Sequence, residues 1–87
     1  MKNKILQEIH SFSSILYTFG KVGAAEGVKK FFTDIVNHAW DSNKDDKTNL
    51  EAVKSSFEFN KALNTFNNNT DIVKCIDMFM SDYLSKL

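Results

Sequence analysis

Nucleophilic or zinc-binding chemistry in this sequence would depend on His10, His38 and Cys75. No two of them are closely paired along the chain, whereas a structural zinc site needs four ligands. His38 falls in the last turn of a predicted helix, where the helix dipole favours a cationic side chain. Cys75 falls at the edge of an apolar helix face, which predicts a half-buried, unreactive thiol. We therefore predict no catalytic residue, no cofactor and no metal site, and a protein that is not an enzyme.

The polar segment 41–49 begins like a calcium loop. Asp41, Asn43 and Asp45 resemble the first, third and fifth ligands of an EF-hand loop. The likeness ends there, because the sixth position, which needs glycine, holds Asp46 and the twelfth, which needs glutamate, holds Ala52. We interpret the segment as a solvated loop that separates two halves of the chain.

The charge balance gives no sign of a polyanionic partner. Eleven basic residues, all of them lysine, match eleven acidic residues, so the formal net charge is zero. Arginine, which reads guanine edges and phosphates with a bidentate fork, is absent. Sequence-specific DNA binding is therefore disfavoured, and binding of nucleic acid through lysines is kept only as a second alternative.

Several sequence features predict a cytoplasmic protein. The single cysteine cannot form an internal disulfide. Polar residues interrupt any signal-peptide core near residue 1, and no apolar run approaches the length of a membrane span. The abundance of Lys, Asn, Ile and Phe, without Arg or Pro, is typical of AT-rich coding DNA. It suggests a low-GC bacterium, or a phage or plasmid within one, as the source.

Apolar residues recur at helical intervals in four segments, about 3–19, 24–40, 49–66 and 70–86. No proline interrupts them, and glycine is scarce. Four helices with short connections predict an all-α fold, a small antiparallel four-helix bundle formed by residues 1–87 as a single domain. A three-helix core completed by domain swapping or dimerisation is the alternative. The segment 70–86 has a broad apolar face, and we expect the other helices to pack around it.

Local signals mark where these helices begin and end. Asn3 is the predicted cap of the first helix, and Gly20 is predicted to end it in a left-handed conformation. Thr48 and Glu51 form a predicted capping box at the start of the third helix. The fourth helix is predicted to be capped by residue 69 or 70.

Gly27 lies in the middle of the second predicted helix. A glycine there costs about 1 kcal/mol relative to alanine. This cost suggests that a neighbouring helix comes close to the backbone at this position.

The third helix carries two apolar stripes instead of one. One stripe consists of Leu50, Val53 and Phe57, and the other of Phe59, Leu63 and Phe66. Phe57 and Phe59 lie about 200° apart around a helix, so one straight helix cannot present both to the same neighbour. Either the helix bends or is covered on both sides, or one stripe is a surface for a partner.

We therefore predict a small, non-enzymatic protein-binding module, such as an inhibitor, an immunity protein or a host-modulating protein. Its partner would be another protein, or a second copy of itself in a homodimer. The alternative is a helical oligomer that binds a small ligand among its phenylalanines. The candidate partner-binding residues are Phe59, Leu63, Phe66 and Trp40, the last of which could equally be a lid on the core.

Overall fold

The computed structural model describes residues 1–63 and 69–86, which form a small antiparallel helical bundle. Its helices are α1 (Lys2–Thr18), α2 (Val22–Ala39), α3 (Asp46–Leu63) and α4 (Thr70–Asp82), followed by one 3₁₀ turn at Leu84–Lys86. The described residues include no strand, so the prediction of an all-α fold is confirmed. The bundle measures 38 × 26 × 19 Å along its principal axes.

The helix bounds differ most from the predicted ones at the start of α3 and at the end of α4. No side chain caps α1, which begins at Lys2, so the prediction of Asn3 as its cap is wrong. α4 ends at Asp82, and a tighter 3₁₀ turn follows that keeps Leu84 buried. The last predicted residues of the third helix, 64–66, lie outside the described residues. Because the described residues do not cover the whole chain, the assignment of residues 1–87 to a single domain stays a prediction.

α1 and α2 form an antiparallel hairpin joined by a short left-handed turn. Gly20 has a φ of +77°, and its N–H donates to the Tyr17 carbonyl while the Lys21 N–H donates to the Leu16 carbonyl. These two bonds satisfy carbonyls that the end of a helix leaves unpaired, as in a Schellman motif. Farther from the turn, the buried Ser13 hydroxyl donates to the Ala25 carbonyl at 3.0 Å and ties the two helices together. The predicted role of Gly20 is confirmed.

α3 begins one turn earlier than its predicted capping box. The Asp45 carboxylate accepts a hydrogen bond from the Thr48 N–H at 2.7 Å, so Asp45 is the cap and Thr48 lies inside the first turn. Hydrogen bonds from Thr48, from its hydroxyl and then from its backbone, lower the pKa of Asp45. The prediction of Thr48 as the cap is wrong, because Asp45 offers an acceptor three residues earlier and adds a turn to the helix.

α4 begins at a side-chain cap and runs in the same general direction as α2. The Asn69 side-chain oxygen accepts hydrogen bonds from the N–H groups of Asp71 and Ile72, which confirms the predicted cap. Asp71 lies 3.9 Å from Lys21 at the start of α2, in an exposed ion pair. Farther along, the Phe79 ring of α4 packs on Phe32 of α2, so the two helices stay in contact over more than two turns.

Ile72 of α4 packs closely against α2 at Gly27. A Cβ atom at this position would lie 2.7 Å from Cδ1 of Ile72 and 3.3 Å from its Cγ1. Both distances are shorter than an ordinary van der Waals contact. The glycine therefore allows Ile72 to pack directly on the α2 backbone, which confirms the close approach that the sequence suggested.

The core is one contiguous cluster to which all four helices contribute, with α2 in contact with each of the others. At its centre, Phe32 of α2 lies 4.6 Å from the Phe57 ring of α3 and 4.5 Å from the Phe79 ring of α4, between ring centroids. Phe12 of α1 packs on Phe79 edge to face at 5.5 Å. α2, and not α4 as the sequence suggested, is thus the helix on which the others pack. The fully or almost fully buried apolar residues are Ile5, Ile9, Phe12, Leu16, Ala24, Ala25, Val28, Phe32, Val36, Leu50, Val53, Phe57, Cys75, Ile76, Phe79 and Leu84.

Candidate partner-binding surface

α3 buries one of its two apolar stripes and leaves Phe59 and Leu63 of the other in solvent. Val53 and Phe57 are 0% exposed, and Leu50 is almost as well buried. Phe59 and Leu63, on the opposite side, are 65% and 67% exposed. The helix is continuous from Asp46 to Leu63. The helix is therefore neither interrupted nor covered on both sides by the described residues. Those residues cover one side of it and leave the other side free.

The exposed stripe belongs to a wider face without charge. Within about 60° of Phe59 around the helix lie only small or apolar side chains between residues 52 and 63. We call this surface the α3 outer face; it consists of Ala52, Ser55, Ser56, Phe59, Ala62 and Leu63. All of these are exposed except the half-buried Ser56. Ala52, Ser55 and Ser56 lie toward the start of this face, whereas Phe59 and Leu63 lie toward its end.

An open groove between α2 and α3 runs beside this face. It has a volume of about 600 Å³, and Ile35 and Ala39 of α2 supply apolar side chains to its wall. Ser56 and Asn60 line it from α3. The Asn60 amide donates one of its two N–H bonds to the Ser56 carbonyl at 2.8 Å. The groove and the α3 outer face therefore share the Ser56 edge.

Of the four predicted partner-binding residues, the structure brings two together. Phe59 and Leu63 share the α3 outer face. Trp40 follows the last residue of α2, is half-buried and packs against the core, as a lid would. Because Trp40 lies beside the start of α3, it is about 20 Å from Leu63 along the helix axis. Phe66 lies outside the described residues. The binding role of all four stays a prediction.

The loop before α3 uses its polar side chains to hold its own backbone. Asn49, 1% exposed, accepts from the Asp41 N–H at 2.9 Å and donates to the carbonyls of Asp41 and Lys44 at 2.8 and 3.2 Å. The Asp41 carboxylate accepts from the Asn43 N–H. Sequence reasoning missed Asn49, since nothing in a run of polar residues distinguishes the one that is buried. No group of three or more His, Cys, Asp or Glu side chains that could hold a metal occurs among the described residues.

The residues with nucleophilic or ligand chemistry lie apart from one another. His10 is exposed on α1 and His38 is exposed on α2. Cys75 of α4 is buried in the core, and burial raises the pKa of its thiol. A thiol that stays protonated is a poor nucleophile.

A second group of exposed apolar residues, which the sequence did not predict, surrounds the α1–α2 turn. Ile15, Phe19 and Val22 are 45%, 74% and 53% exposed. Phe19 continues the spacing of the buried face of α1, which is the spacing of a core residue. It lies outside because the helix ends at Thr18 and the chain turns away at Gly20. The only available signal was its position next to a helix-ending glycine.

Neither protein-family models, nor curated proteins, nor solved structures give a match to this chain. None of the helices in the described residues has the length and apolar character needed to cross a membrane.

Proposed function

We propose that this protein is a non-enzymatic helical module that binds another protein through the α3 outer face. The observation that carries the proposal is the exposure of Phe59 and Leu63, about two thirds of each side chain, on a helix whose opposite side fills the core. Burying these two side chains against a partner would contribute about 1–2 kcal/mol each. Contiguous apolar surface of this kind is typical of an interaction site.

The secondary structure of the face suits a helical or flat partner surface. Its side chains belong to three consecutive turns of one rigid helix that is anchored from below by Val53 and Phe57. A rigid helix loses little conformational freedom on binding, which favours affinity. A small inhibitor, immunity protein or host-modulating protein in the cytoplasm would act in this way, by covering a surface of its target.

The proposal can be tested with two double substitutions, each of which replaces one exposed phenylalanine and one exposed aliphatic residue by serine. The test variant is Phe59→Ser/Leu63→Ser, and the matched control is Ile15→Ser/Phe19→Ser at the α1–α2 turn. Each is tagged, expressed in the native host and used to capture proteins, with circular dichroism to confirm the fold. We expect a protein that the wild type and the control capture in equal amounts and that the test variant loses. Equal capture by all three proteins would contradict the proposal.

The small-ligand alternative relies on the groove of about 600 Å³ between α2 and α3. Its described lining contains no phenylalanine and is mostly polar, with Asp34, Asn37 and His38 beside Ile35 and Ala39. Native mass spectrometry of protein purified from the host separates the alternatives. An added small mass supports a ligand, whereas a multiple of the subunit mass supports self-association. Nucleic-acid binding through lysines predicts a steep dependence on salt, so the absence of binding at about 50 mM salt would eliminate it.

A further inference from the structure

The α3 outer face has charged residues along only one of its two borders, and the nearest are acidic. Glu51 and Glu58 lie about 80° and 100° from Phe59 on the same side of the helix. Both are exposed, and neither has an ion-pair partner within 4 Å in residues 1–63 and 69–86. The other border is formed by Ser56 and Asn60, at the groove to which α2 contributes Asp34.

Of the three lysines of α3, Lys47 lies in the first turn, and Lys54 and Lys61 lie farther round the helix, on the side that faces α4. Lys54 and Lys61 line the groove between α3 and α4. The Lys61 ammonium donates to the Asp77 carboxylate at 2.5 Å, and this contact raises the pKa of Lys61. Glu58 is close enough to add to that effect, but Asp77 holds the ammonium. The acidic border therefore keeps its charge available to an incoming partner.

A second copy of this chain fits that border poorly. If two α3 outer faces paired antiparallel about a two-fold axis, the Glu58 border of one would meet the Glu58 border of the other. Like charges at such positions weaken pairing and select against it. If the helices paired parallel, Glu58 would instead face the border formed by Ser56 and Asn60, which carries no positive charge to pair with it. Neither arrangement gives the acidic border a basic partner, so a partner with positive charge beside its apolar stripe fits this face better than a second copy does.

We infer that the α3 outer face binds an amphipathic helix whose apolar stripe is bordered by lysine or arginine. This inference rests on the proposed function and specifies the partner. The apolar stripe of the partner covers Phe59 and Leu63, while its large side chains fit over the small residues Ala52 and Ser55. Its basic residues lie opposite Glu51 and Glu58, where they speed association and set the orientation of the partner.

The test uses three fluorescein-labelled model peptides of about 18 residues, long enough to populate a helix. All have leucine along one face, and the residues at its borders are lysine, glutamine or glutamate. Fluorescence anisotropy against the wild-type protein at low salt should give the tightest binding for the lysine peptide. We expect it to bind at least about 10-fold tighter than the glutamate peptide, with a difference that shrinks as salt is added.

Variants then locate the site and its charge. Glu51→Lys/Glu58→Lys should reverse the order of the lysine and glutamate peptides. Glu8→Lys/Asp82→Lys is the matched control, because it changes the net charge equally at sites outside α3, and it should keep the wild-type order. Phe59→Ser/Leu63→Ser should weaken binding of every peptide at least about 10-fold.

Each other outcome overturns the inference in a distinct way. If the three peptides bound equally and Phe59→Ser/Leu63→Ser abolished this binding, the face would bind a helix but would not select a basic one. Failure of all three peptides would remove the helical partner, and the capture experiment would still decide the proposed function separately. A wild-type dimer in sedimentation that Phe59→Ser/Leu63→Ser converts to a monomer would show that a second copy is the occupant.

Discussion

Gly27→Ala tests whether the contact between α2 and α4 is as close as described. The added methyl group would lie 2.7 Å from Cδ1 of Ile72 and 3.3 Å from Cγ1. Helix propensity alone would stabilise the protein by about 1 kcal/mol. Displacing Ile72 from its site should cost about 1–3 kcal/mol, as overpacking usually does. We therefore expect the free energy of unfolding to fall by about 0–2 kcal/mol.

The informative experiment combines this change with Ile72→Val in a double-mutant cycle. Valine lacks Cδ1, so the nearest side-chain atom left for the new methyl group would be Cγ1 at 3.3 Å. In the valine background Gly27→Ala should therefore stabilise the protein, by up to about 1 kcal/mol. The coupling between the two substitutions should be about 1–2 kcal/mol, well above the scatter expected for independent sites.

Urea unfolding followed by far-UV circular dichroism would measure all four proteins of the cycle. Equal m-values would show that the substitutions act on the folded state and not on the extent of unfolding. If Gly27→Ala stabilised both backgrounds by the same full increment of about 1 kcal/mol, the two helices would not approach as described. The reasoning that connects this glycine to the position of α4 would then be refuted.

Three further predictions follow from the same structure. Phe57→Ala should cost about 3–5 kcal/mol of unfolding free energy because its ring is 0% exposed, whereas Phe59→Ala should change it by less than about 0.5 kcal/mol; equal losses on urea unfolding would show that Phe59 is covered. Asn49→Asp removes the two N–H donors that hold the loop carbonyls and should cost about 2–3 kcal/mol at neutral pH. That loss should shrink in acid, where a protonated carboxyl can donate again, and a loss independent of pH would contradict this role. Hydrogen bonds from Thr48 lower the pKa of Asp45 in the folded state. The contribution of Asp45 to stability is therefore fully present above its unfolded-state pKa, near pH 4, and is lost as the pH falls through its lower folded-state pKa. The stability difference between wild type and Asp45→Ala should accordingly narrow below about pH 4, and a difference that widens there would show that the cap works by other means.

The number and order of the helices could be predicted from the sequence because a buried helix face repeats with the helical period. Ile5, Ile9 and Phe12 in α1 show this, since each lies in the core as its spacing predicts. The same regularity exposed the problem in α3, where Phe57 and Phe59 cannot share a neighbour. The structure leaves Phe59 in solvent. Periodicity could therefore predict that one side of α3 lacks a neighbour, and this side is the α3 outer face.

Helix ends and buried polar residues were harder to predict, because they depend on competition between neighbouring groups. Asp45 and Thr48 are both good caps, and only the fold shows that Asp45 accepts the hydrogen bond. Asn49 looks like any residue of a polar loop until the loop folds back over it. Phe19 has the spacing of a core residue and is exposed because the chain reverses after it. The sequence also could not show that Lys61 binds Asp77, which leaves the acidic border of the α3 outer face without that lysine as a partner.

The position of α2 has a consequence for how the native state opens. It packs against α1 through Ala25, against α3 and α4 through Phe32, and again against α4 through Gly27. If one neighbouring helix detaches, α2 still packs against the other two. If α2 itself detaches, the packing of the core is lost. The hydrogen-bonded amide protons in the middle of α2 should therefore exchange with deuterium only through global unfolding, whereas those of the other helices can also exchange through partial openings of lower free energy.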